Sequence, residues 1–227
     1  MRTLFRNMTR ERMAVCTVAA ALAIGSSGCK REPDSTLTLN AEVLHAYDDT
    51  MLNEMDLELE QRLLQNGVLN GNYQSVGSAT TNEMGVAAFL FDRSNALDYR
   101  INLVEEDWFE HSELINPDDF IGTNEVNLSI AATPRGTVHI QLINAAPVDE
   151  SDQIQFRLLT SESEYPTCSN AWESHTGMEV NAERTCDIEA DRYLPYRHIV
   201  FKNGGELETT DSIWVPRGIL TELVIPW

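Results

Sequence analysis

Apolar residues at every second position constrain this chain more than any other feature. Leu37, Leu39, Ala41 and Val43 alternate with Thr38, Asn40 and Glu42, and Val138, Ile140 and Leu142 alternate with Thr137, His139 and Gln141. On an extended backbone successive side chains point to opposite faces, so this period builds strands with one buried face. The same alternation runs through Tyr99, Ile101 and Leu103, through Val126, Leu128 and Ile130, and through Ile154, Phe156 and Leu158. Val86 to Phe91 is continuously apolar, as in a strand covered on both faces. Further strands are expected near 196–202, 212–215 and 219–225. The stretch 51–63 satisfies both periods, since Met51, Met55, Leu59 and Leu63 also fit a helix. Strand is preferred because the turn signals Asn66-Gly67 and Asn70-Gly71 follow.

At 227 residues, 42% of them hydrophobic, the chain can fill either one large core or two small ones. Residues 109–125 are acidic, hold Pro117 and Gly122 and show no period, which reads as a linker. The expected fold is all-β: two β-sandwich modules of Ig-like build, 36–108 and 126–227, after a signal peptide and a short tether. Pro134-Arg135-Gly136 reads as the turn of a hairpin joining strands 126–130 and 138–142. No internal repeat is visible in the residues.

Thr80-Thr81-Asn82-Glu83-Met84-Gly85 leads into Phe89 and Phe91 and then Tyr99-Arg100-Ile101. This run resembles the core of carboxypeptidase regulatory-like (transthyretin-like) modules, in which a "TT-acidic-x-x-G" turn enters an apolar strand. The likeness spans roughly 36–108, under a third of the chain. It implies a non-catalytic sandwich on a secreted protein and brings no active-site residues.

Arg2, Arg6, Arg10 and Arg12 precede an apolar run, Met13 to Ile24, and small residues follow it. That is the pattern of a secretory signal peptide over 1–28, and the run is shorter than the roughly 20 residues that span a bilayer. Ser26-Ser27-Gly28-Cys29 resembles the bacterial lipobox, with Ser at position 26 where the family usually has Leu. The resemblance implies acylation of Cys29, with palmitate among the acyl groups, and a 29–35 tether. Lys30 after the cysteine is similar to the sorting pattern of outer-membrane lipoproteins. Cleavage without lipidation is the alternative. Cys16 leaves with the leader, so Cys168 and Cys186 remain to pair in an oxidising compartment; two free buried thiols are the other reading.

The leader takes four arginines and one acid with it, leaving a net charge of −23. Such a field repels nucleic acid and anionic lipid surfaces, and suits cations, basic ligands or plain solvation. The partners expected are therefore the membrane, through the lipid anchor, and an unidentified protein or glycan.

No Gly-x-Ser-x-Gly elbow, His-Glu-x-x-His, P-loop or Cys-x-x-Cys occurs. The five histidines are scattered, and no cofactor is expected. No two histidines stand at the spacing of a zinc site, whereas calcium ligands are offered by Asp118 and Asp119 with Asn124 and Glu125, or by Asp149 and Asp152 with Glu150. The segment bounded by the cysteines mixes aromatic and polar groups. Tyr165, Trp172 and His175 are its candidate binding residues, against the plainer reading that Trp172 covers the disulfide. The function expected is non-enzymatic binding or scaffolding at the cell envelope. The alternative is an envelope hydrolase, with carboxylates such as Glu105, Asp107 and Asp119 converging between the modules and calcium assisting.

Overall fold

A computed structural model describes residues 36–65, 68–69 and 71–227. The expected leader, Cys29, the 29–35 tether, the Asn66-Gly67 turn and Asn70 lie outside the described residues. Two hydrophobic cores form, each between two sheets. The first gathers Leu37, Leu39, Leu57, Leu59, Phe89, Tyr99, Ile101 and Phe120. The second gathers Val138, Ile140, Leu142, Ile154, Phe156, Leu158, Leu194 and Trp227.

In the first sandwich β1 (Thr36–His45) runs antiparallel to β5 (Val86–Asp92) and parallel to β8 (Glu125–Ala132). Opposite them β2 (Asp56–Gln65) pairs with β4 (Gln74–Thr80), with β6 (Ala96–Leu103) and with the short β3 (Val68–Leu69); β6 then pairs with β7 (His111–Ile115). In the second sandwich β9 (Arg135–Ile143) runs antiparallel to β12 (Asn181–Glu189) and parallel to β15 (Leu220–Pro226). Its other sheet has the order β11 (Glu173–Thr176), β10 (Gln153–Leu158), β13 (Arg192–Lys202), β14 (Gly205–Val215).

Leaving β3 aside, the two sandwiches repeat one topology. Lettered a to g along each module, the strands order d-a-g in one sheet and c-b-e-f in the other, with a and g parallel both times. The residues conceal this repeat because the topology demands only alternation and turns, which unrelated side chains supply equally well.

Two boundaries differ from the expectation. Residues 125–132 close the first sandwich, because β8 pairs with β1 from Thr38↔Glu125 to His45↔Ala132 and buries Ile130 and Ala132 in the first core. The turn at Pro134 therefore passes the chain from one module to the next and makes no hairpin. The supposed linker 109–125 is built into the fold: it carries β7 and a 3-10 turn (Pro117–Phe120), and Phe109, Ile115 and Phe120 are buried. The ambiguous stretch before residue 65 is strand from Asp56 on. The turn at 81–85 is closed by Asn82, whose Oδ1 accepts the N–H groups of Met84 and Val86, and Gly85 takes a φ of +72° against Met51 and the Val43 carbonyl.

The modules meet over a short junction. The Arg135 N–H donates to the Asp107 carbonyl at 2.8 Å, Phe109 stacks on Tyr165 with ring centres 4.6 Å apart, and Arg217 sits 4.5 Å over the ring of Trp108. Among the described residues no helix is long and apolar enough to cross a membrane.

Candidate functional site

The four-stranded sheet of the second sandwich buries Ile154, Phe156, Leu158, Leu194 and Tyr196 on its inner side. Alternation then sends their neighbours outward: Gln153, Gln155 and Arg157 on β10, and Arg197, Ile199 and Phe201 on β13. β11 adds Ser174 and Thr176, preceded by Trp172, and β14 adds Glu208, Thr210 and Trp214. A solvated sheet face ordinarily carries threonine, lysine and glutamate. This one exposes three large aromatics, with Trp172 at 43%, Tyr193 at 63% and Trp214 at 46%. Tyr193 and Trp214 lie opposite each other across β13 and β14 and pack edge to face at 5.3 Å.

Trp172 is flanked by two guanidiniums, Arg157 at 5.4 Å and Arg197 at 5.9 Å from the ring centre. Cross-strand pairing sets those arginines directly opposite each other. Arg197 is ion-paired with Glu208 at 2.6 Å. Among the described residues Arg157 has no carboxylate within ion-pair distance. Gln153 donates to Ser174 Oγ at 2.8 Å, so β10 and β11 set amides and hydroxyls beside the arginines.

The residues expected to form a binding loop are not brought together. Tyr165 is occupied at the junction against Phe109. His175 faces inward beside Glu173, which also meets Arg184. Only Trp172 reaches the outer face. The cysteines do pair: Cys168 and Cys186 form a disulfide with Cα atoms 5.3 Å apart. Trp172 lies between the arginines of β10 and β13, whereas Cys168 and Cys186 pack with the second core.

Several of the carboxylates named for calcium or catalysis are engaged locally. Asp119 accepts the Asn116 N–H and Asn116 accepts the Asp118 N–H in a reciprocal cap of the 3-10 turn. Asp149 accepts the Ser151 N–H. Asp152, 1% exposed, accepts the Val148 N–H at 2.7 Å and the Asn144 side chain at 3.1 Å. Glu105 accepts the Asp56 N–H at 2.7 Å and borders an open cleft of about 680 Å³ with Glu58, Glu106 and Glu110. Asp107 packs at Gly218. Among the described residues no three His, Cys, Asp or Glu side chains gather as metal ligands.

Arg157, Arg197, Tyr193 and Trp214 escaped the sequence reading because their meeting depends on which strands pair. The available signal was aromatic and arginine residues at outward positions of alternating strands, where solvent-facing polar groups belong.

No protein-family model matches the chain, and no curated protein matches it. Among solved structures it is similar to the Bacillus anthracis TIE protein at 12% identity and a TM-score of 0.34, covering 84% of this chain and 34% of that one. A streptococcal ancillary pilin is similar at 15% identity and a TM-score of 0.37, covering 85% and 62%. The minor pilin of Streptococcus agalactiae is similar at 12% identity and a TM-score of 0.33, covering 84% and 94%. The chain spans less than two thirds of the length of the first two. The β-sandwich assignment rests on the strand pairings and the two cores.

Proposed function

We propose that this chain is an exported, lipid-anchored binding or scaffolding module of the bacterial cell envelope, holding its partner on the outer face of the second sandwich. The observation that carries the reading is the cluster of Trp172, Tyr193 and Trp214 with Arg157 and Arg197 on a face that folding leaves in solvent. Aromatic and arginine side chains combine large contact area with few rotamers to freeze, which is why they dominate binding surfaces. The leader pattern and the lipobox-like Ser26-Ser27-Gly28-Cys29 support export and anchoring through Cys29. A site for hydrolysis finds less support, because Glu105 and Asp119 cap separate local structures.

Two measurements test this. Intact mass of the membrane-extracted protein is expected to show an acylated Cys29 that Cys29→Ala abolishes; an unacylated mass removes the anchor. Sedimentation of the protein with washed envelope fragments is expected to fall when Trp172 and Trp214 are both changed to alanine. Equal retention of that double variant, correctly folded, would remove this face from the function.

A further inference from the structure

The topological repeat supplies an internal control for the outer face. In the first sandwich β4 begins at Gln74, opposite Gln61 of β2; in the second, β11 begins at Glu173, opposite Phe156 of β10. Tyr73 is thus the counterpart of Trp172, and Arg62 that of Arg157. Across the next strand pair Arg62 faces Asp98, whereas Arg157 faces Arg197.

Both modules therefore clasp an aromatic ring with arginines on the same face of the same sheet. In the first sandwich Arg62 lies 5.4 Å and Arg100 3.8 Å from the Tyr73 ring, and the charges close internally: Arg62 pairs with Asp98, and Arg100 pairs with Glu60 at 2.6 Å. In the second, arginine occupies the position of Asp98 and Gln155 that of Glu60. Glu208 neutralises Arg197 and, among the described residues, leaves Arg157 without a counter-ion. Acidic residues outnumber basic ones 36 to 16, so counter-ions are abundant in this chain, and among the described residues Arg157 nonetheless lacks one. Like charges directly opposite on neighbouring strands destabilise a sheet. A guanidinium held in that position, beside an indole and a row of amides and hydroxyls, matches a planar anion that it can grip with two parallel hydrogen bonds.

We propose that Arg157, with Trp172 and Arg197, is a carboxylate-binding site for a uronic acid residue of an otherwise neutral glycan. The overall negative field disfavours a polyanion and tolerates a single carboxylate. The neighbouring Gln153, Gln155 and Ser174 suit sugar hydroxyls, and Trp172 offers an apolar edge to the ring. The site rests on the binding reading above and names the ligand class for it.

The test titrates the full chain, followed by the indole and guanidinium N–H signals in NMR, with methyl β-D-glucuronide, with methyl β-D-glucoside, which keeps the hydroxylated ring but lacks the carboxylate, and with an acetylated, amidated Gly-Glu-Gly peptide. The glucuronide is expected to move the Trp172 and Arg157 signals and to bind at least about tenfold more tightly than either of the others. Its affinity should fall as NaCl rises from about 0.05 to about 0.5 M. R157Q should abolish the shifts without lowering the melting midpoint, and R62Q should leave them intact. Equal binding of glucoside, tighter binding of the peptide, salt-insensitive affinity, or equal loss in R62Q overturns the proposal. Should R157Q fail to fold, the salt series and the three probes on the unaltered protein decide alone. Loss of glucuronide binding alongside retained sedimentation with envelope fragments rejects this ligand class while leaving the binding reading in place.

Discussion

The hydroxyl of Tyr47 donates to the carboxylate of Glu189 across the junction between the two sandwiches, at 2.9 Å. Arg192 adds a cation over the same ring at 5.1 Å and an ion pair to Glu189 at 2.8 Å. Partial burial first, and then the hydrogen bond to Glu189, push the Tyr47 phenol up to about 12. A pKa raised in the folded state stabilises fully below the unfolded value of about 10 and loses that contribution as pH rises through the folded value. Tyr47→Phe is therefore expected to flatten the loss of stability between about pH 10 and pH 12. Denaturant midpoints of the two proteins across that window check it, and parallel curves would show that the contact carries no linkage.

A second polar node pins the far end of β9. Asn144 donates to Asp152 and to the Gly177 carbonyl, and it accepts from Lys202 at 2.7 Å. Burial alone would raise the Asp152 carboxyl. Its hydrogen bonds from the Val148 N–H, from Asn144 and from the Asp149 turn, with the charge of Lys202, more than offset that and hold it below the usual range. A depressed carboxylate stabilises above its unfolded pKa, and the contribution disappears as pH falls through the folded value. Asn144→Ala removes hydrogen bonds to Asp152, the Gly177 carbonyl and Lys202 from a buried site, so it should cost about 1–3 kcal/mol. Urea denaturation near neutral pH measures that cost, and the variant should also show a weaker fall in stability below about pH 4.

His198 contributes in the same direction at milder acidity. Burial lowers its pKa, and the nearby Asp211 only partly opposes this. Below the unfolded value of about 6.5 the unfolded chain takes up the proton first, so stability declines as pH falls. His198→Gln should remove the decline just below that value. A thermal midpoint series from neutral pH down to about pH 5 reads it, and an unchanged slope would assign the decline to other groups.

The strands were legible because alternation is a local property. Leu37 to Val43, Val138 to Leu142 and Ile154 to Leu158 are buried and half-buried in turn, as their sequence implies. Partnership was not legible. Val126, Leu128 and Ile130 show that 125–132 is a strand, but only the long-range parallel pairing with β1 reveals which sandwich it completes. Likewise Phe109, Ile115 and Phe120 are too sparse among acids to announce a core contribution, yet all three are buried. The candidate face suffered the same limit. Trp172 stands out in the sequence as an aromatic residue between Cys168 and Cys186, whereas its neighbours Arg157 and Arg197 stand on strands whose adjacency no local pattern encodes.

Gly136 tests how tightly β9 packs at its start. A Cβ there would lie 2.8 Å from Val215 Cγ1 and 2.9 Å from the Pro216 carbonyl oxygen. One contact is to backbone, which cannot rotate away, so Gly136→Ala should cost about 1–3 kcal/mol as overpacking. Chemical denaturation would show it, and a wild-type midpoint would mean the 215–216 backbone yields freely.

The disulfide anchors the long excursion between β10 and β12. Cys168 is buried, its N–H donates to the Asp187 carbonyl, and Cys186 lies on β12 opposite Val138. The bridge closes a loop over a separation of 18 residues. By loop-closure entropy it should contribute about 3 kcal/mol through the unfolded state. The Cys168→Ser, Cys186→Ser double variant is expected to lose that much by denaturant titration while keeping native strand content. Because Trp172 is flanked by arginines from β10 and β13, the tryptophan emission should stay close to that of the parent under native conditions. A large shift in that emission would instead mean that the disulfide, and not the arginine clasp, positions the outer face.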